Sequence, residues 1–301
     1  MKNNQASSTA YTVLQGLLHV ARNAQFQHLV TPRNQEIGQI IMNSSAQGRK
    51  RLKQINSTLG KRVLTLMERL LLPNISIHYA LRKAYIESKV RQAIEDGATQ
   101  VINLGAGFDT LLYRLAEENP HLNCIEIDHP TTHKVKKDAL TTPDTQRANL
   151  HFLPVDFTYQ SLVEELSKSS CFSSDSPTVC IVEGVLMYLT TDQIYQLFND
   201  LHQALRPQPS HVVFTAVAPP HHHPESYGPL LKLYLKIKGE PLNWLCEEAQ
   251  LKAFIEPSAF SLKETANSEA LRSQFVPEYS GPLHRGEYAG LAVSKQELEG
   301  E

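Results

Sequence analysis

Two regimes of hydrophobic patterning divide the chain. Up to about residue 95, apolar residues recur at helical spacing. Thr12–Phe26 carries Val13, Leu17, Val20 and Ala21 on one side, and Glu36–Met42 supplies a further turn or two. Lys61–Leu72 is the clearest case. Val63, Leu64, Leu66, Met67, Leu70 and Leu71 make a broad apolar face opposite Lys61, Arg62, Glu68 and Arg69, and Pro73 closes the helix. The polar, basic stretch Asn43–Lys53 between them predicts a mobile connection. A last helix is expected over Tyr79–Glu95, stopped by Asp96-Gly97.

From Thr99 the period changes. Short apolar runs at Gln100–Leu104, Asn123–Ile127, Leu150–Val155, Thr178–Val182 and His211–Val217 predict strands. Helical patterns at Thr110–Glu118, Thr131–Leu140, Gln160–Ser167 and Asp192–Leu205 separate them. Strands that are apolar throughout and alternate with helices predict a parallel sheet covered on both faces. Beyond a proline-rich connection at 218–224, Leu230–Ile237 and Glu247–Phe254 are expected to be helical. Ser258–Lys263 and Glu287–Val293 add two strands, which gives seven, the last two pairing as an antiparallel hairpin. The resulting division is an N-terminal helical cap, 1–95, and an α/β core, 96–301, with a helical insertion near 219–257.

Composition narrows the class of function. With 301 residues and a formal charge of −2, the chain carries no basic excess that would suit nucleic acid. Cys124, Cys171, Cys180 and Cys246 lack the spacing of a zinc site or a disulfide framework and suggest reduced thiols in a cytoplasmic protein. No apolar run approaches the roughly 20 residues of a membrane span. The expected partner is a small molecule, with no metal, nucleic acid or membrane.

The chemistry gathers at the predicted strand ends. Gly105 and Gly107 follow the first strand and open a helix, a turn that brings backbone N–H groups against a nucleotide-like ligand. Asp128 ends the second strand about 20 residues later, where an acid accepts hydrogen bonds from ribose hydroxyls. Asp156-Phe157, after the third strand, would suit an adenine ring, or Asp156 or Thr158 would simply cap a helix. Glu183 emerges from the fourth strand ahead of Gly184, and Met187 suggests core packing. Thr110 stands where a dinucleotide fold would have its third glycine, which counts against a nicotinamide oxidoreductase.

Asn103-Leu-Gly-Ala-Gly-Phe-Asp-Thr110, with Tyr79-x-x-Arg82 before it and Glu126-Ile-Asp128-x-Pro130, Val155-Asp156 and Glu183-Gly-Val-Leu-Met-Tyr-Leu189 after it, resembles the leucine carboxyl methyltransferase family and its bacterial relatives similar to tetracenomycin polyketide O-methyltransferase. The resemblance spans residues 78–215 and includes Lys134 or Lys137 beyond the second strand. It implies a Rossmann-like, seven-stranded, mostly parallel sheet and S-adenosylmethionine as cofactor. Arg82 would then hold the methionyl carboxylate and Gly105 the cofactor through its backbone. Asp128 would take the ribose, Asp156 and Phe157 the adenine, and Glu183 the methionyl or sulfonium region. A further cation from the N-terminal region is implied, for which Arg22 and Arg33 are candidates. The expected activity is O-methyl transfer to a carboxylate or hydroxyl of a small metabolite. A carboxylate acceptor is ionised at neutral pH and needs no base, whereas a phenol would need one from Tyr188, His78 or His221–His223. A non-catalytic S-adenosylmethionine-binding protein is the alternative.

Overall fold

The computed structural model describes residues 6–157, 160–205, 209–220 and 242–295. The expected helix Leu230–Ile237, the histidines His221–His223 and Thr158 lie outside the described residues.

Five helices precede the first strand: α1 (Ser8–Val20), α2 (Pro32–Asn43), α3 (Ala46–Asn56), α4 (Thr58–Leu71) and α5 (Ile75–Glu95). Helix α3 corrects the mobile connection expected there. Its N-cap Ser45 accepts from Gly48 N, and Leu52 and Ile55, three apart, anchor it in the core at 8% and 1% exposure. Gly48 is required by close approach, because a Cβ there would meet the Met42 carbonyl oxygen at 2.1 Å. The sequence pattern hides this helix because two buried residues suffice to dock it.

Helix α4 differs from expectation in the opposite sense. The helix forms, but its apolar face does not enter the core. Leu59, Val63, Leu66, Met67 and Leu70 are between 47% and 73% exposed. The helix is held from its other side, where the Glu68 carboxylate accepts from Ser76 N at 3.1 Å and Ser76 Oγ at 2.9 Å.

The sheet comprises β1 (Gln100–Leu104), β2 (Asn123–Asp128), β3 (Leu150–Pro154), β4 (Thr178–Val182), β5 (Ser210–Val217), β6 (Phe260–Ala266) and β7 (Glu287–Ser294), in the order β3-β2-β1-β4-β5-β7-β6. The first five run parallel; β7 is antiparallel to both β5 and β6. The last two strands do pair antiparallel, but a helix separates them in sequence rather than a tight turn. Between the strands lie α6 (Leu111–Glu118), α7 (Pro130–Leu140), α8 (Leu162–Lys168), α9 (Thr191–Leu205), α10 (Glu248–Ile255) and α11 (Ser268–Phe275).

Alternation along β1 feeds two cores. Val101 joins the one built with α1, α5 and α6, while Ile102 and Leu104 join the one built with α8 and α9. The N-terminal helices share the first of these cores with the sheet, and α5 lies directly against β4, β5 and β7. The N-terminus of α1 reaches the glycine turn: a Cβ on Gly107 would meet Ala10 at 3.4 Å, and Tyr11 packs edge-on against Phe108 at 4.6 Å.

Candidate active site

Register aligns the strand ends. Leu104 pairs with Ile127 and Val182, and Asp128 with Pro154, so Gly105, Asp128, Asp156 and Glu183 all leave the sheet at one edge. Because β7 runs the other way, its first residue, Glu287, lies opposite Val217 at that same edge. Nothing in local sequence marks Glu287; it takes the topology to bring it there.

The glycine turn is built from positive-φ backbone. Gly105 has φ +68° and Gly107 φ +51°. A Cβ on Gly105 would strike Val185 Cγ2 at 2.5 Å, so the position is closed to larger residues on two grounds. Asp128 ties this turn to β2: its Oδ2 accepts from Gly107 N at 2.5 Å and its Oδ1 from His129 N at 2.6 Å. Burial raises the Asp128 carboxyl above its usual value, against the pull of these two N–H groups. A carboxylate has about four acceptor positions, so two remain for a ligand.

Arg82, Lys83, Asp109, Glu183 and Glu287 form one buried charge cluster. Arg82 donates from Nε to Glu183 Oε1 at 2.8 Å and from Nη1 to both Glu287 oxygens at 2.6 and 2.7 Å. Its guanidinium also lies 5.1 Å from the centre of the Tyr79 ring. Lys83 Nζ reaches Glu183 Oε2 at 2.9 Å and Asp109 Oδ2 at 3.0 Å. His78 Nε2 stands 3.2 Å from Glu287 Oε2. Burial alone would raise Asp109 and Glu287, but the cations win. Lys83 holds the Asp109 carboxyl down at about 2, and Arg82 with His78 holds Glu287 well below the usual carboxylate range. Lys83 is likewise raised, since Asp109 and Glu183 outweigh its burial. Two cations face three carboxylates, which leaves an excess of negative charge before His78 is considered.

Of the expected residues, Arg82 and Glu183 meet in this cluster, with two refinements. Both donor edges of Arg82 are occupied by acids, and its side chain is 6% exposed; Lys83, next to it, is 17% exposed and lines the cleft with Asp109, Thr110 and Glu183. The lysine buried behind β2 is Lys136, whose Nζ pairs with Glu126 Oε2 at 2.6 Å, whereas Lys134 bonds Asp138 at the surface. Burial pushes the Glu126 carboxyl up to about 7 in spite of Lys136.

Among the described residues, the N-cap of α8 is Ser161, not Asp156. The Asp156 N–H donates to Gln160 Oε1 at 2.8 Å, its Oδ2 lies 3.4 Å from His129 Nε2, and α8 starts at Leu162. Phe157 is 40% exposed. Tyr188 ends a single 3-10 turn after Glu183-Gly184, and its carbonyl accepts from Asn243 Nδ2 at 2.7 Å. Met187 is buried against Val217, Leu72, Leu242 and Leu245, the core role expected of it. Neither N-terminal arginine joins the cluster. Arg33 pairs with Glu36 and Glu117, and Arg22 bonds the Ile55 carbonyl and Asn56 Oδ1.

Residues 20–202, more than half of the chain, match the family profile described as leucine carboxyl methyltransferase. The chain belongs to the leucine carboxyl methyltransferase family. It is similar to YktD of Bacillus subtilis, whose name assigns it provisionally to the S-adenosyl-L-methionine-dependent methyltransferases: 33% identity over 138 residues, 44% of this chain and 43% of that one. Leucine carboxyl methyltransferase 1 of Caenorhabditis elegans is 30% identical over 154 residues, 43% of this chain and 46% of that one. The chain therefore spans under half the length of these curated relatives. Its fold is shared with a protein of Streptomyces avermitilis from the family called duf574, with a TM-score of 0.57 at 14% identity covering 97% of this chain and 98% of that one. A provisionally named methyltransferase of Thermobifida fusca also has a TM-score of 0.57, at 19% identity over 78% of this chain and 88% of that one.

The residues present fit S-adenosylmethionine. That molecule carries an ammonium, a sulfonium and a carboxylate, hence one net positive charge, against the cluster's excess of negative charge. Gly184, at φ +66°, has nothing within 4 Å of where a Cβ would sit, so backbone faces open space beside Glu183.

Proposed function

We propose that the chain is an S-adenosylmethionine-dependent O-methyltransferase acting on a carboxylate or hydroxyl of a small metabolite. The observation that carries this reading is the buried cluster of Arg82, Lys83, Asp109, Glu183 and Glu287 beside a positive-φ glycine turn. When bound, the cofactor supplies an activated methyl group, which the acceptor oxygen takes in line while the sulfur keeps the bonding electron pair.

The protein's part is binding and orientation. Asp128 accepts from the ribose hydroxyls with its two remaining acceptor positions, and Asp156 and Phe157 take the adenine. Gly105 offers backbone at the turn. Lys83 and Arg82 serve the methionyl carboxylate, with Lys83 the cation that faces the cleft and Arg82 the one that fixes Glu183. Glu183 in turn faces the positive end of the cofactor. Tyr188 is the candidate on the acceptor side, next to the apolar group of Met187, Val217, Leu72, Leu242 and Leu245. Orientation of this kind supplies about 7–11 kcal/mol of barrier reduction.

The test uses purified protein, methyl-labelled cofactor and a metabolite extract. Label is expected in a small-molecule product, and treatment with base identifies the acceptor: a methyl ester releases labelled methanol, whereas a methyl ether does not. Binding of S-adenosylhomocysteine without any labelled product from repeated extracts would point instead to a non-catalytic cofactor-binding protein. Binding of a nicotinamide dinucleotide in its place would overturn the proposal.

A further inference from the structure

Helix α1 separates the cofactor cleft from a second cavity. Its Leu17 lines the cleft and its Leu18 lines the cavity, which has a volume of about 330 Å³ and lies among α1, α2 and α3. That size falls within the range of small-molecule sites, about 300–1,000 Å³. The lining holds three cations, Arg22, Arg49 and Lys53, and no carboxylate. Around them stand carboxamides such as Gln35 and Gln39, over an aliphatic floor that includes Leu52.

The cations here differ from five others in the N-terminal half that are tied to acids. Arg33, Arg82, Lys83, Arg91 and Arg114 each pair with at least one carboxylate. Arg22, Arg49 and Lys53 form no ion pair with a described residue. Two of them are nevertheless fixed in place by neutral acceptors. Arg22 donates to the Ile55 carbonyl and to Asn56 Oδ1, and Arg49 donates to the Asn43 carbonyl at 2.8 Å. Three like charges line this one cavity, all exposed to solvent, and their mutual repulsion is screened but not abolished. An anion in their midst removes that repulsion and gains charge-assisted hydrogen bonds from groups already oriented.

We propose that this cavity is a second ligand site, distinct from the cofactor cleft, which takes a small organic oxyanion bearing phosphate or carboxylate groups. The cations hold the charged groups, the carboxamides hold hydroxyl or carbonyl groups, and Leu18, Leu52 and Ile55 cover the carbon skeleton. The ligand bridges three helices and so stabilises the folded chain by mass action.

Inorganic phosphate and citrate are the probes, each titrated by calorimetry and by thermal unfolding at constant ionic strength, with sodium chloride as the matched control. A saturable rise in Tm above chloride is expected with at least one of them. Phosphate alone assigns a phosphate ligand, citrate alone a carboxylate one, and both together the shared oxyanion chemistry. In the Arg22→Gln/Lys53→Gln variant the rise is expected to vanish, while S-adenosylhomocysteine affinity stays within about twofold, under 0.5 kcal/mol. Should that variant fold poorly, Arg49→Gln alone is expected to weaken the anion by about tenfold. The proposal is overturned if neither anion exceeds chloride, or if the variants respond like the parent chain. None of these readouts depends on methyl transfer, so the two proposals fail separately.

Discussion

At the scale of single residues, adjacent cations in one helix have different surroundings. Arg82 is enclosed by Glu183 and Glu287, whereas Lys83 reaches the same Glu183 from the cleft side. Replacing Arg82 by Met leaves Glu287 with His78 alone and Glu183 with Lys83 alone, and breaking a buried pair in this way costs about 3–5 kcal/mol. The expected outcome in denaturant titration is a large loss of stability. Lys83→Met leaves Arg82 in place, so its larger effect is expected in calorimetry with S-adenosylhomocysteine, as a weakening of about ten- to hundredfold through loss of one charged hydrogen bond, worth about 1.5–3 kcal/mol. If instead Arg82→Met kept its stability and lost the cofactor, the roles would be reversed. Asp128→Ala removes the acceptor that also ties the glycine turn to β2. Its expected cost in cofactor affinity is about 1–3 kcal/mol. Unchanged affinity with an intact fold would remove Asp128 from the site.

At the scale of elements, α3 and α4 are where pattern and packing part company. The exposed stripe on α4 touches little, so Leu66→Gln is expected to change Tm by no more than about 1–2 °C, as surface substitutions do. A drop of five degrees or more would mean that another surface covers the stripe. By contrast Ser45→Ala, which removes the N-cap of α3, is expected to cost about 1 kcal/mol. The strands were the legible part. Gln100–Leu104 and Thr178–Val182 are buried at every position, and their short apolar runs, broken in the first by Asn103, between turn residues mark them. Helix α11 was not legible, because Leu271 is its one buried apolar side chain. The carboxyl-edge acids Asp128, Asp156 and Glu183 could be found from strand ends alone. Glu287 could not, since an acid at the start of a strand reaches the carboxyl edge only when that strand runs antiparallel, and strand direction is a tertiary fact. Lys83 was hidden for a different reason. It follows Arg82 directly, and only the helix's rotation against β4 decides which of the two faces the cleft.

At the scale of the whole molecule, burial of so many charges makes stability depend on pH through groups of opposite sign. Asp109 is held at about 2 and Glu287 is depressed further, while Glu87, Glu117 and Glu264 are also lowered by their arginine or lysine partners, which outweigh burial where it opposes them. A depressed acid contributes stability that is complete above its unfolded pKa, near 4, and is lost as pH falls through its folded one. Unfolding stability is therefore expected to drop steeply from about pH 4 to pH 2. Between pH 5 and 7 two contributions oppose. Burial lowers His19, His133, His151 and His211, so the neutral forms favoured by folding add stability as pH rises through about 6.5. Glu126 acts the other way. Burial raises it to about 7, so it takes up a proton on folding over the window from about 4.5 to 7 and stability falls with pH there. The parent chain should then show a shallow profile in this window, because the two slopes partly cancel. Glu126→Gln removes its own falling component and leaves the histidines, with the raised Asp128 common to both proteins, so its Tm is expected to climb more steeply from pH 5 to 7 than that of the parent, whatever its absolute value. Parallel profiles for the two proteins would mean that Glu126 is ionised throughout, with Lys136 strong enough at 2.6 Å to hold its charge inside the core.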